Sequence, residues 1–353
     1  MITRTRLTAA TVLLLAGLLT FYKVPVASSQ GVTLLAEFVA EDLPTLDPDS
    51  DLWELAPAVQ VPLSAQTVAK PFLAESNIRS VTARALHDGT QIAFLVEWSD
   101  DSLNDQTVRI EDFRDAVAVQ FPLVEGQPFF CMGQPGGEVN IWHWKADWQA
   151  DMVARQDMET VYPGMRVDFY QFTNPAAGVL AGPGDYEDLN YLPALASGNL
   201  LAAAIRTSPV EDTFAGGFGG LTSQPAADQN VDGFGEWSGE GWSVVFARDL
   251  VSNEEYDASF EPGTVYPMAF AVWDGENEER NGRKSTSQWI SLQLAAEDET
   301  LSAEPGTSTV APPSAGFGEP VIFVVIPVVA TAALIGLVAG GFYLVGEFIQ
   351  RRK

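Results

Sequence analysis

Cysteine is nearly absent from this chain of 353 residues, with Cys131 as its single instance. One cysteine excludes an intrachain disulfide framework, a four-cysteine zinc site and an iron–sulfur cluster held by this chain alone. No C-x-x-C-H segment occurs, so covalent c-type haem is excluded too. Histidine is as scarce: His87 and His143 are the only two, too few for a histidine-rich metal centre. Neither G-x-S-x-G, H-E-x-x-H nor a Walker loop is present. Lysine and arginine together number 19 against 47 acids, a formal net charge of −28. A nucleic-acid partner needs a basic face, and that class is set aside.

The acids are not spread evenly. Residues 1–29 contain none; Arg4 and Arg6 precede an apolar run from Leu7 to Phe21, and Ala27, Ser28 and Ser29 follow. This reads as a signal peptide over 1–29, with an uncleaved N-terminal anchor as the alternative. Near the other end, Val321 to Gly346 carries no charge. At about 1.5 Å per helical residue it is long enough to cross a hydrocarbon core of roughly 30 Å. A transmembrane helix is expected over 320–346, followed by a basic tail, 347–353, on the cytoplasmic side by the positive-inside rule. Residues 304–319, rich in Pro, Gly, Ser and Thr, read as a linker. The expected topology is single-pass in the cell membrane, with domain 30–303 on the extracytoplasmic, periplasmic side.

Between the ends the pattern is that of short strands. Val81, Ala83 and Ala85 alternate with polar neighbours, His87 to Thr90 turns the chain, and Ile92, Phe94, Val96 and Trp98 alternate on the return. Asp115–Phe121, Trp242–Ala247, Thr264–Trp273 and Gln288–Leu294 read as further strands, whereas Asn174–Gly241 reads as long loops with short helices. The expected fold is mostly β: a two-sheet β-sandwich with long loops. His87, in a hairpin turn, is expected to be solvent-exposed.

Two segments stand out. Pro128–Trp148 packs three Trp, two Phe, Met132 and His143 into one stretch, and Met132-Gly133 opens a glycine-rich loop. Glycine beside methionine suggests close approach of a flat group, and a thioether is a soft ligand for haem iron. Ala271–Trp289 ends a strand at Trp273 and reaches Lys284 through a polar loop; only five lysines occur in the chain.

Together with Trp53, Pro62-Leu63, Gln66, Val96 to Asp100, Asp115 to Pro122, Val139 to Trp148, Trp273 to Gly275, Arg280, Gly282 and Trp289, these segments carry a resemblance. The chain resembles the haem b-binding gamma subunits of type II dimethyl sulfoxide reductase-like molybdoenzymes, over roughly Leu52 to Leu294. The family includes the gamma subunits of ethylbenzene and dimethyl sulfide dehydrogenases, of selenate, chlorate and nitrate reductases, and of nitrite oxidoreductase. The resemblance implies a haem b inside the sandwich with Met132 and Lys284 as axial ligands, clamped between the sheets. Lys145 is the rival lysine. His143, a second rival, is expected to pack or hydrogen-bond a propionate, Arg283 to pair with a propionate, and Trp144 to lie at the cofactor.

The resemblance further implies a non-catalytic electron-transfer subunit. Its partners would be a molybdopterin catalytic subunit, an iron–sulfur beta subunit, and a quinone pool or cytochrome. The runner-up is an extracellular β-sandwich that binds a ligand, for example a carbohydrate, through its tryptophans.

Overall fold

The computed structural model describes residues 31–124, 126, 132–164, 193–203 and 206–296. The segments expected to be a signal peptide, linker, transmembrane helix and basic tail lie outside the described residues, as does Cys131. Among the described residues no helix is long and apolar enough to cross a membrane.

Thirteen strands form in chain order: β1 (Thr33–Phe38), β2 (Val59–Ala65), β3 (Ser80–His87), β4 (Gln91–Ser99), β5 (Ala116–Pro122), β6 (Val139–Lys145), β7 (Val210–Ala215), β8 (Thr222–Ser223), β9 (Asp232–Trp237), β10 (Gly241–Asp249), β11 (Val265–Trp273), β12 (Ser285–Ser287) and β13 (Ile290–Leu294). One helix of two turns, α1 (Ala146–Val153), follows β6 directly.

The strands divide into two layers. The first runs β13-β1-β3-β4-β10-β9, with β1 parallel to both its neighbours and the rest antiparallel. The second runs β8-β7-β6-β5-β11-β12. Two strands belong to both. In β11, Val265–Met268 pairs with β13 and Ala269–Trp273 with β5. In β2, Val59–Pro62 pairs with β3 and Leu63–Ala65 with β12. Strands that change layers make the hydrogen-bonded ladder continuous and turn the corner of the sandwich.

The alternation read in β3, β4 and β5 sets the core. Phe94 of β4 meets Phe121 of β5 and Trp142 of β6, each with ring centroids 5.8 Å apart, although those strands share no hydrogen bonds. Trp144 lies edge-on to Trp242 at 4.8 Å. Such aromatic pairs contribute about 0.5–1.5 kcal/mol each beyond the area they bury. Gly235 leaves the room: a Cβ there would stand 2.4 Å from the Trp144 ring.

Three expectations change. His87 is fully buried, because β3 runs through it and the turn begins only at Asp88. Its ring packs 5.5 Å from Phe38 and its Nε2 lies 3.0 Å from the Ala295 carbonyl. The described part of Asn174–Gly241 contains β7, β8 and β9, whose Gly and polar residues hide the strand period. The space between the sheets is filled by aromatic side chains, so a haem clamped there has no room; the cavity lies elsewhere.

Candidate cofactor site

The cavity lies on the outer face of the second sheet and has a volume of about 870 Å³. That is within the range of roughly 300–1,000 Å³ for ligand sites. Its floor follows from strand alternation. Val117, Val119 and Phe121 point into the core, so Ala116, Ala118 and Gln120 point outward. In register beside them stand Ile141 and His143 of β6 and Ala269, Ala271 and Trp273 of β11. Four alanines on adjacent strands leave a depression that larger residues would fill.

Met132 and Lys284 approach from opposite loops. Lys284 Nζ lies 3.4 Å from Met132 Sδ and 4.9 Å from the centroid of the Trp273 ring. The Met132 carbonyl accepts a hydrogen bond from Gly217 N at 2.8 Å. Gly133 follows with φ of +69°, and a Cβ there would stand 2.6 Å from the Ala215 carbonyl. This glycine therefore serves a close backbone crossing against β7, rather than the approach of a flat group expected from sequence. Lys284 is held by its backbone: its carbonyl accepts from Gln66 N at 2.9 Å. The Gln66 amide also donates to Gly282 O at 2.7 Å and accepts from Ala69 N at 2.8 Å, tying three turns together. The Trp273 indole donates to Asn281 O at 3.1 Å and fixes the loop that leads to the lysine.

The other residues sort plainly. His143 is on the cavity wall, stacked on Trp273 at 4.7 Å, and its Nε2 has no hydrogen-bond partner among the described residues. Burial, then the positive charges of Lys145, Arg114 and Lys284, hold it well below the usual histidine range, so the ring is neutral at pH 7. Lys145 is buried in an ion pair with Glu211, its ammonium 3.8 Å from the Trp148 ring centroid. Burial pushes it down to about 8, against the pull of Glu211. Trp144 belongs to the core between the sheets, its indole donating to Gln149 Oε1 at 2.9 Å, and does not reach the cavity. Arg283 is directed to Asn277 O and Glu278 and is not on the wall. Besides Lys284, the cations on the wall are Lys70, Arg109, Arg114 and Arg280; sequence reasoning gave none of these four a cofactor role, although Arg280 helped carry the family resemblance.

A haem fits this donor set. A thioether and an amine face each other over an apolar floor, with cations at hand for carboxylates. At 3.4 Å the two atoms are in contact, and an iron held between them would need them farther apart.

Residues 50–285 match the ethylbenzene dehydrogenase family. The chain belongs to the ethylbenzene dehydrogenase family. Among relatives, a Haloferax mediterranei protein named as a respiratory nitrate reductase haem subunit is 25% identical over 71% of this chain and 68% of its own length. Chlorate reductase subunit gamma of Ideonella dechloratans is 27% identical over 70% of this chain and 79% of its own. Dimethylsulfide dehydrogenase subunit gamma of Rhodovulum sulfidophilum is 25% identical over 70% and 75%. The family match begins just before Trp53 and ends at Ser285, so it contains both Met132 and Lys284.

Proposed function

We propose that this ethylbenzene dehydrogenase family member is a haem b electron-transfer subunit, with Met132 and Lys284 as axial ligands. The observation that carries the ligand assignment is the meeting of Sδ and Nζ over the alanine floor. When bound, the haem supplies one-electron oxidation and reduction. With Met132 and Lys284 both bound, the iron would have no open position for a substrate. Lys284 coordinates only as the neutral amine. Lys145 is a weaker candidate, because Glu211 already holds it. Arg109 and Arg280 line the cavity where propionates could meet them, whereas Arg114, also on the wall, is held by Asp147 at 2.7 Å; the neutral His143 Nε2 offers a hydrogen bond at the wall.

Relatives named as nitrate and chlorate reductase subunits and as a dimethylsulfide dehydrogenase subunit differ in substrate and in the direction of electron flow. On our reading their common role is electron relay, and the substrate is assigned to another subunit. On this reading the chain passes electrons between the iron–sulfur subunit of a molybdopterin oxidoreductase and a quinone pool or cytochrome. It does so outside the cytoplasmic membrane, tethered by residues 320–346. The carbohydrate-binding reading is the weaker one: it calls for tryptophans offered to a ligand, and Trp53, Trp98, Trp142, Trp144, Trp148, Trp242 and Trp273 are all buried.

The experiment is a visible spectrum of the purified full chain, followed by acid–acetone extraction. The reading expects a low-spin six-coordinate haem that extracts completely. A chain that stays colourless with excess haemin contradicts it.

A further inference from the structure

Beside the cavity, at its edge, three strand ends bring buried carboxylates together. Asp100 follows β4, Asp115 precedes β5 and Asp274 follows β11. One oxygen from each lies within 4.8 Å of the other two. Their exposures are 7%, 0% and 5%, and Glu279, equally buried, accepts from Asp274 N at 3.2 Å. None of the described ion pairs includes any of the four.

Their hydrogen bonds come from neutral donors. Asp115 accepts from Asn104 N, Gly275 N and the Trp242 indole at 2.9–3.0 Å. Asp274 accepts from Asn77 Nδ2 at 2.9 Å and Asn277 N at 3.2 Å. Asp100 differs: Oδ1 accepts from Ser102 N and Oγ, both at 3.0 Å, while Oδ2 is buried without a partner. The Trp98 indole approaches this carboxylate but makes no hydrogen bond with it. A buried carboxylate oxygen left bare beside two further carboxylates is strongly unfavourable unless a positive charge or a proton joins it.

We propose that Asp100, Asp115 and Asp274 bind a divalent, oxygen-seeking cation, Ca²⁺ by preference. The ligand atoms are all oxygens, as hard cations require. Ca²⁺ takes several carboxylates in flexible geometry, whereas Mg²⁺ demands a near-ideal octahedron and usually keeps several waters, binding through only one or two carboxylates. Asp100, Ser102 and Asn104 also stand at alternate positions of one loop, the spacing by which calcium loops deliver successive oxygens. The cation joins two loops pressed tightly together, since a Cβ on Gly275 would stand 2.4 Å from Asn104 Cβ. One loop carries Arg109 and Phe113 and the other leads from Trp273 to Lys284, so the ion braces two walls of the cavity. The binding itself is independent of haem.

The test uses the full chain, stripped of metal and kept at high KCl to screen the acidic surface. Equilibrium dialysis against Ca²⁺ should give one saturable ion per chain. Tb³⁺ should bind in its place and luminesce on tryptophan excitation, because Trp242 touches Asp115, and Ca²⁺ should quench that signal by displacement. Ca²⁺ should raise the unfolding midpoint, and a chelator should lower it again. Asp100→Asn and Asp274→Asn should each weaken Ca²⁺ binding by about tenfold or more, the loss expected when a charged ligand is removed. Asp49→Asn, on the surface, should not. No saturable Ca²⁺ uptake by the wild-type chain, with a midpoint indifferent to Ca²⁺ and chelator, overturns the proposal even if the variants fail to fold. Uptake that is unchanged in both variants overturns it as well.

Discussion

Lys284 Nζ lies 3.4 Å from Met132 Sδ although 152 residues separate them in the chain. Neither side chain sits on a strand: Met132 hangs on the backbone crossing at Gly133 and Lys284 on the Gln66 knot. The two anchors stand on either side of the alanine floor, so the sheet fixes where they meet. Several variants follow from this arrangement.

Gly133→Ala should impair haem binding without touching a ligand. The residue has φ of +69°, and the added methyl would strike the Ala215 and Gly137 carbonyls at 2.6 and 2.8 Å. Strain at such a position costs about 1–3 kcal/mol, and relief must displace Met132. Haem transfer to apomyoglobin should be faster in the variant, and thermal unfolding should begin earlier.

Lys145→Ala should be a stability variant. It leaves Glu211 buried and without its cation. Removing one partner of a buried ion pair costs about 3–5 kcal/mol. Adding Glu211→Gln should restore part of the loss, measured by urea unfolding, because the orphaned charge is gone.

Arg280→Ala should increase haem loss, whereas Arg283→Ala should leave it nearly unchanged. Arg280 lines the cavity, its guanidinium 5.0 Å from the Phe113 ring centroid. Arg283 is engaged with Asn277 and Glu278 away from the wall. Haem transfer rates for the two variants check this.

The sandwich core was legible in the strand alternation, whereas Met132 and Lys284 were singled out through a family resemblance, since neither looks like a site residue by pattern alone. Ile92, Phe94, Val96 and Trp98 alternate strongly, so β4 announces itself. The cavity floor was hidden in the complementary positions, because Ala116, Ala118, Ala269 and Ala271 look like weak strand residues rather than a site. Position among charges was hidden too: adjacency favoured Arg283, yet the turn at Asn281, with φ of +54°, places Arg280 at the wall instead. His87 was misplaced because a histidine before Asp-Gly reads as turn, while the parallel strand β1 that covers it pairs across a long sequence separation.

Asp212→Asn should stabilise the protein increasingly from pH 4 to 8. Burial, then the neighbouring Asp257 charge, raises Asp212 from 3.8 to about 8. The folded state therefore binds this proton more tightly than the unfolded chain. That contribution is complete below about pH 4 and is lost as pH rises towards 8. Asparagine keeps the neutral form at every pH and its carbonyl can still accept from Asn140. Its advantage should reach about 2 kcal/mol or more at pH 8 and vanish near pH 4, as measured by denaturant unfolding across that range.

The most direct measurement is the ferric visible spectrum of haemin-loaded full chain in three forms: wild type, Lys284→Ala and Lys145→Ala. The account predicts low-spin six-coordinate haem in the wild type and in whatever Lys145→Ala protein folds, and high-spin haem in Lys284→Ala. Lys284→Arg should not rescue, since a guanidinium offers no lone pair. A low-spin spectrum retained in Lys284→Ala, with a high-spin one in Lys145→Ala, would contradict the assignment.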